Sequence, residues 1–172
     1  MRKAGLYGAY AFADSEEGRD VYGLAMRGRG AYLFGKSGLG KTHAAATAVR
    51  LFVESGRNAR LVSAKELLDA VKAGFDGKDK EALDRAERYD LLALDDLGAE
   101  KVTAWTKETI TDLIGKREAR RLPTVVTSNY RIGEIRDIWG GVDGMRIASR
   151  LAGSCEIVEF EGDDMRLRKE GA

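Results

Sequence analysis

The stretch GKSGLGKT, from Gly35 to Thr42, places three glycines, two lysines and two hydroxyls in eight positions. The apolar run Ala31–Phe34 precedes it, and three alanines follow His43. Glycine is costly inside a strand or a helix, so such a cluster makes sense where the backbone must curl around something. The spacing G-x-x-x-x-G-K-[ST] between a strand and a helix is that of a phosphate loop. In such a loop the N–H groups of Gly35, Lys36, Ser37, Gly38, Leu39 and Gly40 turn inward, and the helix that follows adds its unpaired N–H groups and dipole. Lys41 would reach the β- and γ-phosphates, and the Thr42 hydroxyl would bind Mg²⁺. The plainer alternative is a glycine-rich turn before an ordinary helix.

Three further stretches suit the same chemistry. In YDLLALDDLG, Tyr89 to Gly98, an apolar strand delivers two carboxylates at its C-terminal end, where open α/β sheets place ligands. Mg²⁺ takes few protein carboxylates and keeps several waters. Asp95 continues the strand and is the better metal ligand, whereas Asp96 is placed to orient an attacking water. In PTVVTSNY, Pro123 to Tyr130, a strand ends in Thr127, Ser128 and Asn129. Asn129 would face the γ-phosphate if this strand lay between the first and third; a turn beginning at Ser-Asn is the alternative. In MRIASRLAG, Arg146 and Arg150 lie four apart on one helical face. Charge on a transferring phosphoryl group calls for a cation, often supplied by a neighbouring subunit. A solvated basic face would look the same.

Alternating apolar runs and turn residues set these stretches on elements. Strands are expected at Ala31–Phe34, Ala59–Val62, Leu91–Leu94, Thr124–Thr127 and Glu156–Phe160. Helices are expected at Lys41–Ser55, from the capping box Ser63–Glu66 onward, at Lys80–Arg88 and from Thr103. The last of these ends in Lys116, Arg117, Arg120 and Arg121, which suit a helix C-terminus. Strands alternating with helices imply an α/β fold with a parallel sheet covered on both faces. Residues 1–29 form a glycine-rich N-terminal extension whose Tyr7, Tyr10, Phe12 and Tyr22 pack on the core or dock a partner. Residues 30–172 form the core domain.

The 172 residues suit about one domain. A single cysteine, Cys155, excludes an internal disulfide framework, and a single histidine, His43, excludes a His-rich zinc site. Without a secretory signal or a long apolar run the chain reads as cytoplasmic, with no membrane partner. A net charge of +1 gives no global attraction to nucleic acid, so any such contact must be local.

Together, GKSGLGKT, YDLLALDDLGAEKVTAW, TVVTSNY and RIASRL resemble the bacterial helicase-loader ATPases of the DnaC type and the related IstB-type transposition helpers, within the AAA+ class of phosphate-loop NTPases. The resemblance runs from about Gly30 to the C-terminus. It implies a five-stranded parallel sheet of order 5-1-4-3-2 without a C-terminal lid domain, and slow, assembly-stimulated, Mg²⁺-dependent ATP hydrolysis. Asn129 then maps to the first sensor and Arg150 to an arginine finger acting in trans within a homo-oligomer, with Arg146 beside it. Arg166 falls near a late basic residue of the family. A replicative helicase or a transposase is the implied protein partner. Asp96 replaces the glutamate of many AAA+ proteins, a shorter side chain that fits slow hydrolysis. The family's helicase-binding domain has no counterpart in the thirty residues before the core, so the chain is an excised or minimal form, or meets its partner differently.

The family also carries a helical wedge after the second strand that touches single-stranded DNA. Here it would span Ser63–Arg88, with Lys65, Lys72, Lys78 and Lys80 for phosphates and Phe75 for a base. The many acids of this stretch fit a solvated amphipathic pair equally well. Two other functions share the phosphate loop. A small-molecule kinase would need an acceptor pocket and an arginine-rich lid, and a nucleotide-binding adaptor would switch shape without useful turnover.

Overall fold

The computed structural model describes residues 1–75, 79, 81–162 and 164. Five strands form one parallel sheet: β1 (Gly30–Phe34), β2 (Ala59–Ser63), β3 (Leu91–Leu97), β4 (Thr124–Ser128) and β5 (Cys155–Glu159). Their spatial order is β2-β3-β4-β1-β5, the expected 5-1-4-3-2 read from the other edge. The helices are α1 (Glu16–Met26), α2 (Lys41–Glu54), α3 (Ala64–Phe75), α4 (Ala82–Arg88), α5 (Ala104–Ala119), α6 (Ile132–Trp139) and α7 (Gly141–Ser154). Two short 3-10 turns, Arg2–Ala4 and Gly8–Phe12, precede them.

The continuous apolar runs are explained by burial on both faces. Side chains alternate along a strand. Ala31, Leu33, Leu91, Ala93 and Val125 pack with α1, α2 and the N-terminal turns. Tyr32, Phe34, Leu92, Leu94 and Val126 pack under α3 to α7. The N-terminal residues join the first cluster through Ala4, Leu6, Ala13, Val21 and Ala25. Tyr22 meets Phe52 edge to face at 5.5 Å between centroids, whereas Tyr7 and Phe12 are exposed. The helix α1, capped by the Ser15 side chain on the Gly18 N–H, is not evident in the sequence. Its apolar residues crowd into its second half and it contains two glycines.

The strand β3 is longer than expected because it is irregular. Leu94 pairs with Val126, but Leu97 pairs with Ser128, so one extra residue sits in β3. This is a β-bulge. Leu92, Leu94 and Leu97 all bury on the same face, a spacing that strict alternation does not allow. The extra residue is accommodated at Asp96, whose φ is 58°.

Arg117 lies in the last turn of α5, as expected, but its side chain turns inward. It is wholly buried, and its guanidinium donates to Thr124 Oγ1 at 2.9 Å and to the carbonyls of Ala86, Tyr89 and Pro123 at 2.8 Å each. Burial lowers its pKa to about 10, so it stays charged at neutral pH. It thereby ties the end of α4 and the start of β4 to α5, with its charge at the carbonyl end of α4. Arg117→Leu strands these acceptors and is expected to destabilise the protein by about 2–4 kcal/mol, from the cost of unpaired buried polar groups. Arg117→Lys, with one nitrogen in place of a fork, is expected to recover less than half of that loss in denaturant titrations.

Candidate active site

The loop between β1 and α2 brings Gly35, Gly38 and Gly40 into positive φ, at 144°, 82° and 91°. Only glycine adopts these values without strain. At Gly35 a side chain is excluded twice over, since a Cβ there would lie 2.3 Å from the Phe160 carbonyl oxygen. Gly40 is the residue before α2, so the loop opens directly onto a helix N-terminus. Lys41 is buried on the first turn of that helix. Its ammonium donates to the carbonyls of Gly35 and Lys36 at 2.6 and 2.7 Å and to Asn129 Oδ1 at 3.0 Å.

A cavity of about 750 Å³ lies over this loop. Ser37 through His43 line it, together with Asp95, Asp96, Thr127, Asn129 and Tyr10. In a regular strand Asp95 and Asp96 would point to opposite faces; the bulge lets both line one cavity. Hydroxyls hold the Asp95 carboxylate and the Asp96 backbone. Thr42 Oγ1 and Thr127 Oγ1 donate to Asp95 Oδ1 at 2.9 and 2.6 Å, and the Asp96 N–H donates to Thr127 Oγ1 at 2.9 Å. Asp96 itself is exposed to the cavity, and its carbonyl accepts from the Ala99 N–H at 3.2 Å. The placement of β4 between β1 and β3 sets Asn129 opposite both the phosphate loop and the carboxylates.

Burial raises the pKa of Asp95, and the Asp96 charge adds to it, while the two hydroxyls and Lys41 oppose it. The same cause raises buried Glu100, whose Oε2 accepts from the Gly98 N–H at 2.8 Å. No three His, Cys, Asp or Glu side chains converge as a metal cluster among the described residues. The Thr42 hydroxyl beside the Asp95 carboxylate is an all-oxygen pair, which fits Mg²⁺, a hard ion that keeps most of its waters. His43 sits on the first turn of α2, as expected, and its Nε2 accepts from the Asp14 N–H at 3.2 Å. Cys155 is buried at the start of β5 with its thiol pushed up to about 11, an unreactive setting.

Arg146 and Arg150 do not join this cavity. They line a shallow depression on α7 with Val142, Met145, Ser149 and Glu118 of α5. Arg150 Nη1 lies 3.3 Å from Glu118 Oε2, with both side chains about two-fifths exposed. On the wedge, α3 and α4 are both present, and the Ser63–Glu66 capping box is formed in both directions. Lys65 is paired with Asp69 at 2.7 Å. Phe75 is 75% exposed, with its ring centroid 6.3 Å from that of Trp105, and Lys72 Nζ lies 4.9 Å over the Trp105 ring. Trp105 therefore belongs to this surface cluster, which its helical position alone does not reveal. Lys78, Lys80 and Arg166 lie outside the described residues.

A carboxyl with a raised native pKa holds its proton more tightly in the folded state, so its ionised form costs stability as pH rises through that pKa. Asp95→Asn removes this cost and keeps an oxygen for Thr42 and Thr127. The variant is expected to melt higher than the parent protein without nucleotide, with the difference growing as pH rises through the carboxylate range. Its affinity for Mg-ATP is expected to fall in the same preparation, measured by calorimetric titration.

A family model of IstB-like ATP binding proteins matches residues 14–172. The replicative helicase loader DnaI of Bacillus subtilis is 31% identical over 117 residues, which span 67% of this chain and 38% of that protein. The replicative helicase loader DnaC of Escherichia coli K12 is 25% identical over 142 residues, 80% of this chain and 56% of that protein. The chain thus spans well under two thirds of either relative. A crystal structure of the DnaC helicase loader superposes with a TM-score of 0.74 at 22% identity, covering 90% of this chain and all of that one. AMPPCP-bound DnaA from Aquifex aeolicus superposes with a TM-score of 0.71 at 22% identity, over 96% of this chain and 55% of that one. The fold is that of AAA+ domains. From the match across nearly its whole length, this chain belongs to the family of IstB-like ATP-binding proteins.

Proposed function

We propose that the chain binds Mg-ATP and hydrolyses it between assembled subunits, as a helicase-loader-type ATPase that acts on DNA with a replicative helicase as partner. The observation that carries this reading is the convergence of Thr42, Asp95, Asp96 and Asn129 on the phosphate-loop cavity. Lys41 and the loop amides bind the β- and γ-phosphates. Thr42 and Asp95 hold Mg²⁺, which supplies charge neutralisation at the phosphates. Asp96, on the exposed side of the bulge, orients the attacking water, and Asn129 fixes that water against the γ-phosphate. Such a site contributes by positioning and electrostatics more than by covalent chemistry.

Nothing cationic besides Lys41 is among the described residues lining the cavity, and Arg150 faces outward on α7. This arrangement suits an arginine finger donated to the neighbouring subunit. The ion pair with Glu118 would be exchanged for the neighbour's phosphate on assembly. The family match equally supports a transposition helper with a transposase as partner; the chemistry proposed for the site is the same in both. On the wedge, Lys72, Phe75 and Trp105 offer a cation and two aromatic faces to single-stranded DNA.

Two measurements check these roles. Arg150→Ala keeps a sound phosphate site and Lys41→Ala keeps a sound finger. Each alone is expected to lose turnover by on the order of 10³-fold, and an equimolar mixture with single-stranded DNA is expected to recover part of it. Parental turnover by Arg150→Ala under conditions where oligomers form would exclude a trans finger. Phe75→Ala is expected to weaken single-stranded DNA binding by about 1–3 kcal/mol in anisotropy titrations, the worth of one stacked base. Unchanged DNA affinity would make the wedge a solvated surface.

A further inference from the structure

The residues on either side of Asn129 are fixed by two buried hydroxyls, one from the end of β4 itself and one from β1. The residue before it, Ser128, is wholly buried. Its Oγ donates to the Leu97 carbonyl at 2.6 Å and accepts from the Tyr130 N–H at 3.1 Å. The residue after it, Tyr130, accepts at its carbonyl from the Tyr32 hydroxyl at 2.8 Å. Leu97 closes the β3 bulge one residue beyond Asp96. Tyr32 lies on β1, three residues before the phosphate loop begins. The backbone around Asn129 is thus registered against the strand that carries the carboxylates and against the strand that carries the loop.

Tyr32 is an unusual choice for a central strand. Its ring is fully buried in the apolar cluster with Phe34, Leu94 and Val126, a place that leucine or phenylalanine would fill without a polar atom to satisfy. Burial raises the phenol to about 12, so it stays protonated and donates at all physiological pH. A buried hydroxyl is kept where its bond fixes geometry, because leaving it or its acceptor unpaired is costly.

We infer that Tyr32, with Ser128, is a positioning residue for hydrolysis, holding the Asn129 carboxamide in line with Asp96 and the γ-phosphate. It touches neither nucleotide nor water. This rests on the role of Asn129 proposed above. A side chain held to a fraction of an ångström here sets how well the water is aimed, and small misplacements in such sites are expensive in rate.

Tyr32→Phe tests this with the ring retained. Binding of a non-hydrolysable ATP analogue is expected to stay within about twofold while kcat falls by about tenfold or more, a loss on the scale of a small misplacement. In the double-mutant cycle, Tyr32→Phe added to Asn129→Ala is expected to slow turnover no further, because coupled residues do not add. Multiplying losses, or a Tyr32→Phe protein with parental kcat beside a slow Asn129→Ala protein, would overturn the assignment of Tyr32 alone. Loss of analogue binding by Tyr32→Phe would also overturn it, since the hydroxyl would then serve folding. Parental turnover by Asn129→Ala would overturn the reading of Asn129 itself, and the role of Tyr32 with it.

Discussion

The bulge in β3 is the constraint on which the site depends. Two adjacent carboxylates on a regular strand face opposite sides of the sheet, and one of them would be buried under α5 and α6. One extra residue changes this. It leaves Leu97 in the apolar layer with Leu92 and Leu94 and turns Asp96 out at positive φ. A non-glycine residue in that conformation is strained unless its surroundings hold it there. Here the Thr127 hydroxyl receives the Asp96 N–H, and the Ser128 hydroxyl binds the Leu97 carbonyl. The hydroxyls at the end of β4 therefore do two things: they satisfy the backbone groups that the bulge releases from the ladder, and through Thr127 they hold the Asp95 carboxylate.

The same economy appears at the opposite end of the strands. The wedge helices have no strand to pair with, and α4 is short. A buried arginine, satisfied by three carbonyls and one hydroxyl, fastens α4 to α5 and β4. Arg117 thus joins the wedge to the base of the strand whose far end carries Asn129. In the function proposed above, Arg150 is the finger that one subunit supplies to the phosphates of the next; within the subunit it pairs with Glu118.

Much of this is written locally in the chain. The phosphate loop is legible because its glycines answer a backbone requirement that few other motifs share. The strands are legible because a sheet buried on both faces needs unbroken apolar runs. The order of the strands came from family resemblance, since no local feature of β4 says that it lies between β1 and β3. The bulge leaves only the faint trace of apolar residues at 92, 94 and 97. The burial of Arg117 is not legible because a buried arginine and an exposed one at a helix end have the same sequence signal; its partners at Ala86 and Tyr89 lie about thirty residues away in the chain. The helix α1 was hidden by its two glycines, one of which, Gly18, lies against Thr47, where a Cβ would come within 2.4 Å. The bond from the Tyr32 hydroxyl to the Tyr130 carbonyl and the meeting of Trp105 with Phe75 and Lys72 are tertiary facts that residue type does not announce.

In the function proposed here the bulge aims both carboxylates at one bound nucleotide. A crystal structure with Mg²⁺ and a non-hydrolysable ATP analogue tests it most directly. The expected result is the γ-phosphate between Lys41 and Asn129, Mg²⁺ on Thr42 with Asp95 in its coordination sphere, and Asp96 still at positive φ with its carboxylate toward the water that faces the γ-phosphate. A straightened β3, with Asp96 turned away from the nucleotide, would contradict it.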